Sequence, residues 1–302
     1  LHMFRGLLYG SYHKPRELVW IFGMTIYLVM MAEGFLGYVL PYGQMSYWGA
    51  QVIISLFGAI PYVGESLELW VRGDYYISGI TVSRFFALHV VALPLILIAL
   101  VFLHLVALHE VGAGNPEGVD IEEHLDEDGV PLDSVPFFPY KVLNGLVAIG
   151  VFMTVFAIIM FFFPEGGGYF IEMANFQEAN PLVTPDHIAP VWYYAPFYTM
   201  LRAIPDPLGG LIVMAAAVAI FFIVPWLDRS KVASIRYKGI YSKIAITLFG
   251  VSFLTLGYLG TVGVTEIRKI MSIICTIIYF AYFLLMPIYT KYEKTKEVPT
   301  RL

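Results

Sequence analysis

The chain is poor in charged residues and has a single cysteine. Asp, Glu, Lys and Arg make up 14% of its 302 residues, and 59% are hydrophobic. Soluble domains carry about 25% charged residues, so this composition excludes an ordinary soluble domain and predicts a polytopic membrane protein. Because Cys275 stands alone, an intrachain disulfide and a cysteine-ligated metal cluster are excluded as well.

Six apolar runs are long enough to cross a bilayer. They cover residues 18–40, 85–108, 142–163, 208–227, 244–264 and 270–288. If the runs alternate in direction, one side of the membrane collects thirteen of the eighteen Lys and Arg residues, and the other side has Arg72, Arg84, Arg202, Arg268 and Lys269. The positive-inside rule places the basic side in the cytoplasm. The fold prediction is an all-α protein, a polytopic transmembrane helical bundle.

The second run carries His89 and His104 inside an otherwise apolar stretch. Fifteen residues of α-helix rise roughly 22 Å and turn about 60° past four full turns, so both imidazoles lie on nearly one face at two depths. Neutral imidazole is the commonest metal ligand, and haem iron takes axial histidine. The spacing favours two stacked metal-centred cofactors, one in each leaflet. The alternative is a pair of histidines that hydrogen-bond between helices.

Three further features accompany this pair. Gly23 and Gly37 are fourteen residues apart in the first run, and glycine allows a flat ring to approach the backbone closely. Ordinary packing of small residues is the alternative. Glu33 is an acid deep in the same run, which indicates a functional role or a carboxyl that is protonated or paired with a neighbouring helix. Arg84 stands one turn before His89, where it could pair with an anionic group such as a haem propionate.

Two interrupted segments lie on the other, outer side. Residues 42–80 are aromatic and glycine-rich, which predicts amphipathic helices on the membrane surface. Residues 164–207 are too rich in proline for a long helix, and they form either a wall of a pocket for a flat apolar ligand or a structural cap. On the basic side, His2 is at the level of His104, and His13 is expected to face solvent.

Seven motifs occur in one order along nearly the whole chain. They are RGLLYGSY, GYVLPYGQMSYWGA, RFFALH, LHEVGAGNP, NPLVTPDHIAPVWYY, LRAIPDPLGG and FLLMPIYTKYEKTK. Together they resemble cytochrome b of the cytochrome bc complexes, in its bacterial forms. The family has eight spans and two haem b groups, each bound by two histidines. The first span and most of the second have no counterpart here, so the chain is expected to be an N-terminally incomplete version of a longer protein.

The resemblance implies two functional regions along the chain. Residues 1–141 form the haem-binding region, and residues 142–302 form a quinol-site region with four spans. His2 and His104 match the ligands of the high-potential haem near the cytoplasmic side. His89 matches one ligand of the low-potential haem, whose partner lies outside this sequence. The cofactor-binding positions are expected to be Arg5, Arg84, Gly23 and Gly37 for haem, with Gly49, Tyr198 and His109 for quinone.

The resemblance also implies the reaction and its partners. The family oxidises ubiquinol on the outer side, gives one electron to a Rieske iron–sulfur protein, and sends the other through the two haems to ubiquinone on the cytoplasmic side, with proton translocation. The expected partners are the Rieske protein, a cytochrome c1-type subunit, the lipid of a bacterial inner membrane and a second copy of the complex; nucleic acid is not expected. The matching outer-site positions are Tyr38, Gly49, Pro190, Trp192, Tyr193 and Tyr198.

One departure from the family pattern lies in the outer site. Where the family has the motif Pro-Glu-Trp-Tyr, this chain has Val191 in place of the glutamate. Valine cannot accept a quinol proton. The candidate acceptors are Glu33, Asp186 and His187, of which Glu33 is favoured because its helix also brings Tyr38 to the pocket. Water or Tyr193 is the competing relay.

A second departure lies on the cytoplasmic side. His109 matches a quinone-binding histidine of the family, but the family's Lys-Asp pair on the next helix is replaced by Asn144 and Gly145. Protons for quinone reduction would then come from His109, Glu110, Lys141 or water.

Two other classes of function fit the same residues. A helical channel or transporter could use His89, His104 and Glu33 as a proton path. A structural membrane subunit that has lost its chemistry would explain the missing carboxylates. Haem absorbance would distinguish a redox subunit from a channel or transporter. Binding of quinol-site inhibitors would distinguish it from a structural subunit.

Overall fold

The computed structural model describes residues 1–168, 172–186 and 188–302, and in them the regular structure is helical apart from two isolated β-bridges. The prediction of an all-α bundle is confirmed. The α-helices are α1 His2–Tyr9, α2 Glu17–Val39, α3 Gln44–Gly58, α4 Gly64–Arg72, α5 Gly79–Ala87, α6 Leu93–Val111, α7 Val142–Phe162, α8 Ala195–Ala203, α9 Pro207–Ala219, α10 Val224–Leu227, α11 Ile240–Gly260, α12 Glu266–Leu284 and α13 Met286–Tyr292.

Six helical segments of the described chain are long and apolar enough to cross a membrane. They are Glu17–Val39, Gly79–Val111, Phe137–Phe162, Pro207–Leu227, Ile240–Gly260 and Glu266–Leu284. Each contains most of one predicted run, so the prediction of a multi-pass membrane protein is confirmed. The last two begin four residues earlier than predicted. For α12 the reason is a cap, because the hydroxyl of Thr265 accepts a hydrogen bond from the backbone N–H of Arg268 at 3.3 Å.

The second span is one continuous helix with a wider turn in its middle. A π-helical turn, Leu88–Ala92, joins α5 to α6, and the backbone N–H of Leu93 bonds to the carbonyl of Leu88. Pro94 follows and has no N–H to continue the regular ladder. A π turn takes up one extra residue relative to an α-helix, so His89 does not keep the 60° offset from His104 expected of an unbroken helix.

The helices pack in two groups. In one, α2 lies along α5, the π turn and α6; in the other, α8, α9, α11 and α12 surround an aromatic cluster that includes Phe221, Phe249 and Tyr279. The Trp20 indole donates a hydrogen bond to the carbonyl of Phe221 at 2.7 Å and so ties α2 to the second group. The Tyr279 hydroxyl donates to the carbonyl of Ala217 at 2.6 Å. Such side-chain bonds between helices are common where lipid replaces water.

The two interrupted outer segments, residues 42–80 and 164–207, pack against the bundle and against each other. The predicted surface helices exist as α3 and α4, but α3 buries Ala50 and Ile54 completely against the end of α2. The Gln44 side chain at its start accepts a hydrogen bond from the backbone of Asn180 and donates one to Val183 at 2.5 Å. These bonds attach residues 178–183 to α3. The segment from 164 to 207 contains the short helix α8, as its prolines predicted.

The bundle has two ends, which we name by their helices. The α1 end contains residues 1–16, 112–136 and 228–239, and the α3 end contains residues 40–78, 188–194 and 261–265. The first was predicted to be cytoplasmic and the second to face outward. The predicted division of the chain at residue 141 stays a prediction.

Candidate functional site

Two histidines meet at the α1 end. The ring centroids of His2 on α1 and His104 on α6 are 6.4 Å apart, and the rings are tilted by 76°. The Nδ1 atom of His104 is buried, and the polar group beside this ring is the backbone of Val19 on α2. Two imidazoles that face each other in this way could together hold a metal-centred group such as a haem.

Both glycines of the first span face the histidines of the second. A Cβ atom at Gly23 would lie 3.3 Å from Cε1 of His104, and one at Gly37 would lie 2.9 Å from both ring nitrogens of His89. Real Cβ atoms almost never come closer than 3.0 Å, so alanine at position 37 would force the His89 ring to move. Each glycine therefore lets the backbone of α2 approach an imidazole ring more closely than any side chain would allow.

His89 has a direct neighbour on α2. Its Nδ1 lies 3.0 Å from the backbone carbonyl oxygen of Glu33 and 3.0 Å from the carboxylate oxygen Oε1 of the same residue. The other carboxylate oxygen, Oε2, is buried without a partner among the described residues. Glu33 is thus paired with a neighbouring helix, which was one of the two readings left open by the sequence.

The two arginines expected near the cofactors carry no carboxylate partner in the described part of the chain. Arg5 is exposed on α1, with its guanidinium 5.5 Å from the ring centre of Tyr9. Arg84 donates a hydrogen bond to the carbonyl of Trp70 at 2.8 Å and lies against Gly73. Both side chains keep free N–H groups for an anion such as a propionate.

These residues fit a haem. At the α1 end, the facing rings of His2 and His104 supply two candidate ligands, and Gly23 lets α2 approach the His104 ring closely. At the α3 end, His89 supplies one candidate ligand, and Gly37 allows the same close approach.

Gly37→Ala is expected to reduce haem occupancy at the α3 end, because the added methyl displaces the ligand ring of His89. Haem content in purified protein, read from reduced-minus-oxidised spectra, measures the effect. Gly150→Ala on α7 is the matched control, since a Cβ there meets nothing within 4 Å. It should keep full haem and stabilise its helix by about 0.5–1 kcal/mol. Equal haem content in the two variants would contradict the steric argument.

A cavity of about 490 Å³ lies between α2, α3, α8 and α9. Its walls are almost entirely apolar, and three of the predicted outer-site residues, Gly49, Pro190 and Tyr198, line it. Tyr194 also lines it and was not predicted; its hydroxyl donates to the carbonyl of Met31. Residues 188–190 form part of the wall, which favours the pocket reading of this segment over a simple cap.

The other predicted outer-site residues lie around the cavity rather than in its lining. The Tyr193 ring packs on α2, with Cε2 3.2 Å from a Cβ position at Gly34, and burial raises the pKa of its hydroxyl. Trp192 is 74% exposed. The backbone of Tyr38, near the end of α2, accepts a hydrogen bond from Ser46 at 2.5 Å. Asp186 lies in the loop before the cavity wall, and His187 lies outside the described residues.

Glu33 does not belong to the cavity lining, although Met31 and Ala32 do. The side chain of Glu33 points to His89 instead. At the α1 end, His109 is exposed at the last turns of α6, and Asn144 and Gly145 are exposed at the start of α7.

A buried ionic cluster at the α1 end was not predicted from the sequence. Asp228 has no exposed side-chain surface; it accepts hydrogen bonds from Tyr12 at 2.6 Å, from His13 at 3.0 Å and from Lys238. Burial alone would raise the pKa of Asp228, but the hydrogen bond from His13 and the charge of Lys238 outweigh it and hold that pKa well below its usual range. The expectation that His13 faces solvent is wrong, because its ring is held against this carboxylate.

Fold and site together define a class of protein. It is an integral membrane helical bundle in which histidines of one span face glycines of another at two depths, beside a large apolar cavity.

Comparison with known proteins gives the family. Residues 1–196 match the family described as Cytochrome b(N-terminal)/b6/petB, and residues 178–280 match the family described as Cytochrome b(C-terminal)/b6/petD. The chain belongs to the cytochrome b family, the membrane subunit of quinol–cytochrome c oxidoreductases. The resemblance and the enzyme class predicted from the motifs are confirmed.

Individual relatives cover the chain from end to end. Cytochrome b of Allochromatium vinosum is 56% identical in an alignment of 310 positions that covers 100% of this chain and 75% of the relative. Cytochrome b of Rickettsia bellii is 46% identical and matches 100% of this chain and 73% of its own. The solved structure titled "Hyperthermophilic respiratory Complex III" superimposes with a TM-score of 0.88 at 35% identity, covering 96% of this chain and 74% of that one.

Proposed function

We propose that this chain oxidises ubiquinol in the cavity at the α3 end and delivers electrons across the membrane to ubiquinone at the α1 end, coupled to proton translocation. The observation that carries the proposal is the position of the cavity: it opens beside α2, the same helix whose glycines face His89 and His104. A substrate site and two cofactor positions at different depths thus share one helix.

The cavity suits the ring and tail of a quinol. Its volume of about 490 Å³ lies in the range of ligand pockets, and its apolar walls match a flat, greasy molecule. Pro190 and Gly49 leave room for a ring, and the tyrosines at 194 and 198 place hydroxyl groups at its edge. Polar groups of this kind, few and fixed, orient a ligand.

The histidines supply the redox positions. When bound, b-type haem provides reversible one-electron chemistry, and the protein contributes its axial ligands and surroundings. His2 and His104 would hold one group near the α1 end, and His89 would provide one ligand of the other. Arg5 and Arg84 offer charge to anionic side groups of the ring.

The partners follow from the proposed reaction. A respiratory complex III relative supports association with other subunits. We propose a Rieske iron–sulfur protein as acceptor at the α3 end and a cytochrome c1-type subunit beside it, with the complex as a dimer. At the α1 end, His109, Glu110 and Lys141 are the proposed proton donors to quinone.

The experiment that tests this function is spectral and pharmacological. Purified intact protein should show a b-type reduced-minus-oxidised spectrum, and outer-site quinol inhibitors should perturb that spectrum. Absence of haem would instead favour a channel or transporter. Haem without any inhibitor effect would favour a structural subunit.

Gly49→Leu is expected to slow quinol oxidation and raise KM for quinol, because the new side chain enters the cavity. The Cβ position of Gly49 meets no atom within 4 Å, so the larger residue fits without disturbing the fold. Steady-state quinol–cytochrome c activity measures the effect. Gly150→Leu, on the exposed α7, should leave KM unchanged. Unchanged KM in Gly49→Leu would remove the cavity as the substrate site.

The proton acceptor that replaces the glutamate missing at Val191 is proposed to be Glu33, with Asp186, His187, Tyr193 or water as alternatives. Tyr193, in the same motif as Val191, packs against Gly34, the residue next to Glu33 on α2. If Glu33 takes the proton, Glu33→Gln lowers the quinol oxidation rate and alters its pH dependence. Full rate with unaltered pH dependence would exclude Glu33 as the acceptor.

A further inference from the structure

The carboxylate of Glu33 and the imidazole of His89 form a contact that quinol chemistry does not require. Nδ1 of His89 has two oxygens of Glu33 within hydrogen-bond distance, the backbone carbonyl and Oε1, each at 3.0 Å. Two acceptors at Nδ1 place the ring proton there. Nε2 is then the unprotonated nitrogen, which is the form that binds a metal.

The carboxylate is held in place for this contact. Its side chain is 17% exposed, and its described ionic partner is His89. Placing a carboxyl in the bilayer is costly unless a polar partner compensates. Because Glu33 faces away from the cavity lined by Met31 and Ala32, the pairing with His89 accounts for its direction.

The second histidine of the same span lacks such a partner. The His104 ring has the backbone of Val19 beside it, as His89 has the backbone of Glu33, but among the described residues only His89 also faces a carboxylate. When one ring nitrogen of a histidine binds a metal, a carboxylate that accepts a hydrogen bond from the other ring N–H orients the ring. It also makes the histidine a stronger electron donor to the metal. A stronger donor, with a negative charge beside it, stabilises the oxidised metal relative to the reduced one.

We propose that Glu33 is a positioning residue that fixes the tautomer of His89 and lowers the reduction potential of the haem at the α3 end relative to that at the α1 end. The inference rests on the proposed haem site at His89. It assigns the difference between the two haems to one carboxylate that contacts only the α3-end ligand in the described structure.

The test is a redox titration of the haems in the intact complex, followed by absorbance, for wild type, Glu33→Gln and Glu33→Asp. In Glu33→Gln the neighbouring backbone oxygen still orients His89, so haem should bind while the negative charge is gone. The α3-end haem should then titrate at a more positive potential, with the α1-end haem unmoved. Glu33→Asp keeps the charge on a shorter side chain and should shift the potential less.

Thr25→Ala is the control on the same helix, because its hydroxyl bonds only within α2, to the carbonyl of Ile21. It should leave both potentials in place. An unchanged α3-end potential in Glu33→Gln overturns the proposal, even if quinol oxidation slows, because Glu33 would then act on protons alone. If glutamine costs the haem, Glu33→Ala, which also removes the charge, is titrated in its place, and an unchanged α3-end potential there overturns the proposal. A wild-type complex without α3-end haem would refute the proposed function instead.

Discussion

Replacing His104 by alanine is expected to remove the α1-end haem completely and with it electron delivery to that end of the membrane. No other described side chain stands where His104 does, opposite the ring of His2 with Gly23 beside it. Metal binding by two axial ligands does not survive loss of one into an apolar interior, where water cannot substitute. The reduced-minus-oxidised spectrum should lose the contribution of one haem of two.

His109→Ala provides the matched control for His104→Ala. His109 lies five residues further along α6, about 140° around the helix, and is exposed. Its loss should leave haem content unchanged, although quinone reduction at the α1 end should slow. Full haem content in His104→Ala would show that the facing rings of His2 and His104 are a structural contact and would remove the cofactor from this end.

The pairing of each α2 glycine with a histidine of the second span could be predicted from sequence because local periodicity determines it. Hydropathy located the spans, and helical spacing placed His89 and His104 at two depths with Gly23 and Gly37 opposite. The structure puts each glycine against the histidine of matching depth. Such features depend on one or two helices, so the 3.6-residue repeat is sufficient information.

Features that depend on deviations from that repeat could not be predicted. The π turn at Leu88–Ala92 changes the angle between His89 and His104, and only Pro94 hinted at it. Proline breaks one hydrogen bond of the ladder, but whether the helix then kinks, widens or ends depends on the packing of its neighbours. Spacing alone therefore gave the depth of His89 but not its exact angle about the helix axis, although both histidines still face α2.

Contacts between segments that are distant in the chain could not be predicted from the sequence for a different reason. Asp228 meets Tyr12 and His13, more than two hundred positions earlier in the chain. Each residue taken alone looks like an ordinary loop residue at the end of a span. The cluster becomes visible only when α1 and the loop after α10 are brought together.

Asp228→Asn is expected to destabilise the protein by about 3–5 kcal/mol, the usual effect of leaving one member of a buried ion pair without its partner. Lys238 is 5% exposed and would lose its counter-ion, and His13 and Tyr12 would lose a charged acceptor. Thermal inactivation in detergent, followed by loss of haem absorbance or intrinsic fluorescence, measures the change.

Arg236→Gln is the surface control for Asp228→Asn, since it breaks the pair between Glu117 and the half-exposed Arg236. Exposed pairs contribute about 0–1 kcal/mol, so this variant should stay close to wild type. The double variant Asp228→Asn, Lys238→Met removes both buried charges and should recover part of the loss, since an apolar replacement of a buried pair is often tolerated. If Asp228→Asn is as stable as Arg236→Gln, the carboxylate of Asp228 contributes little to the stability of the protein.

The pH dependence of stability tests independently whether the charge of Asp228 stabilises the folded protein. The pKa of Asp228 is lower in the folded protein than its ordinary value of about 3.9, so its contribution is fully present above that value. As the pH falls below about 4 toward the depressed folded pKa, the unfolded chain binds the proton first and wild type loses this stability. Asp228→Asn has no such proton to bind, so the difference between the two proteins should narrow on acidification from neutral pH. A gap that stays constant from pH 7 to pH 3 would show that the variant acts through packing, with no contribution from the charge that Lys238 and His13 surround.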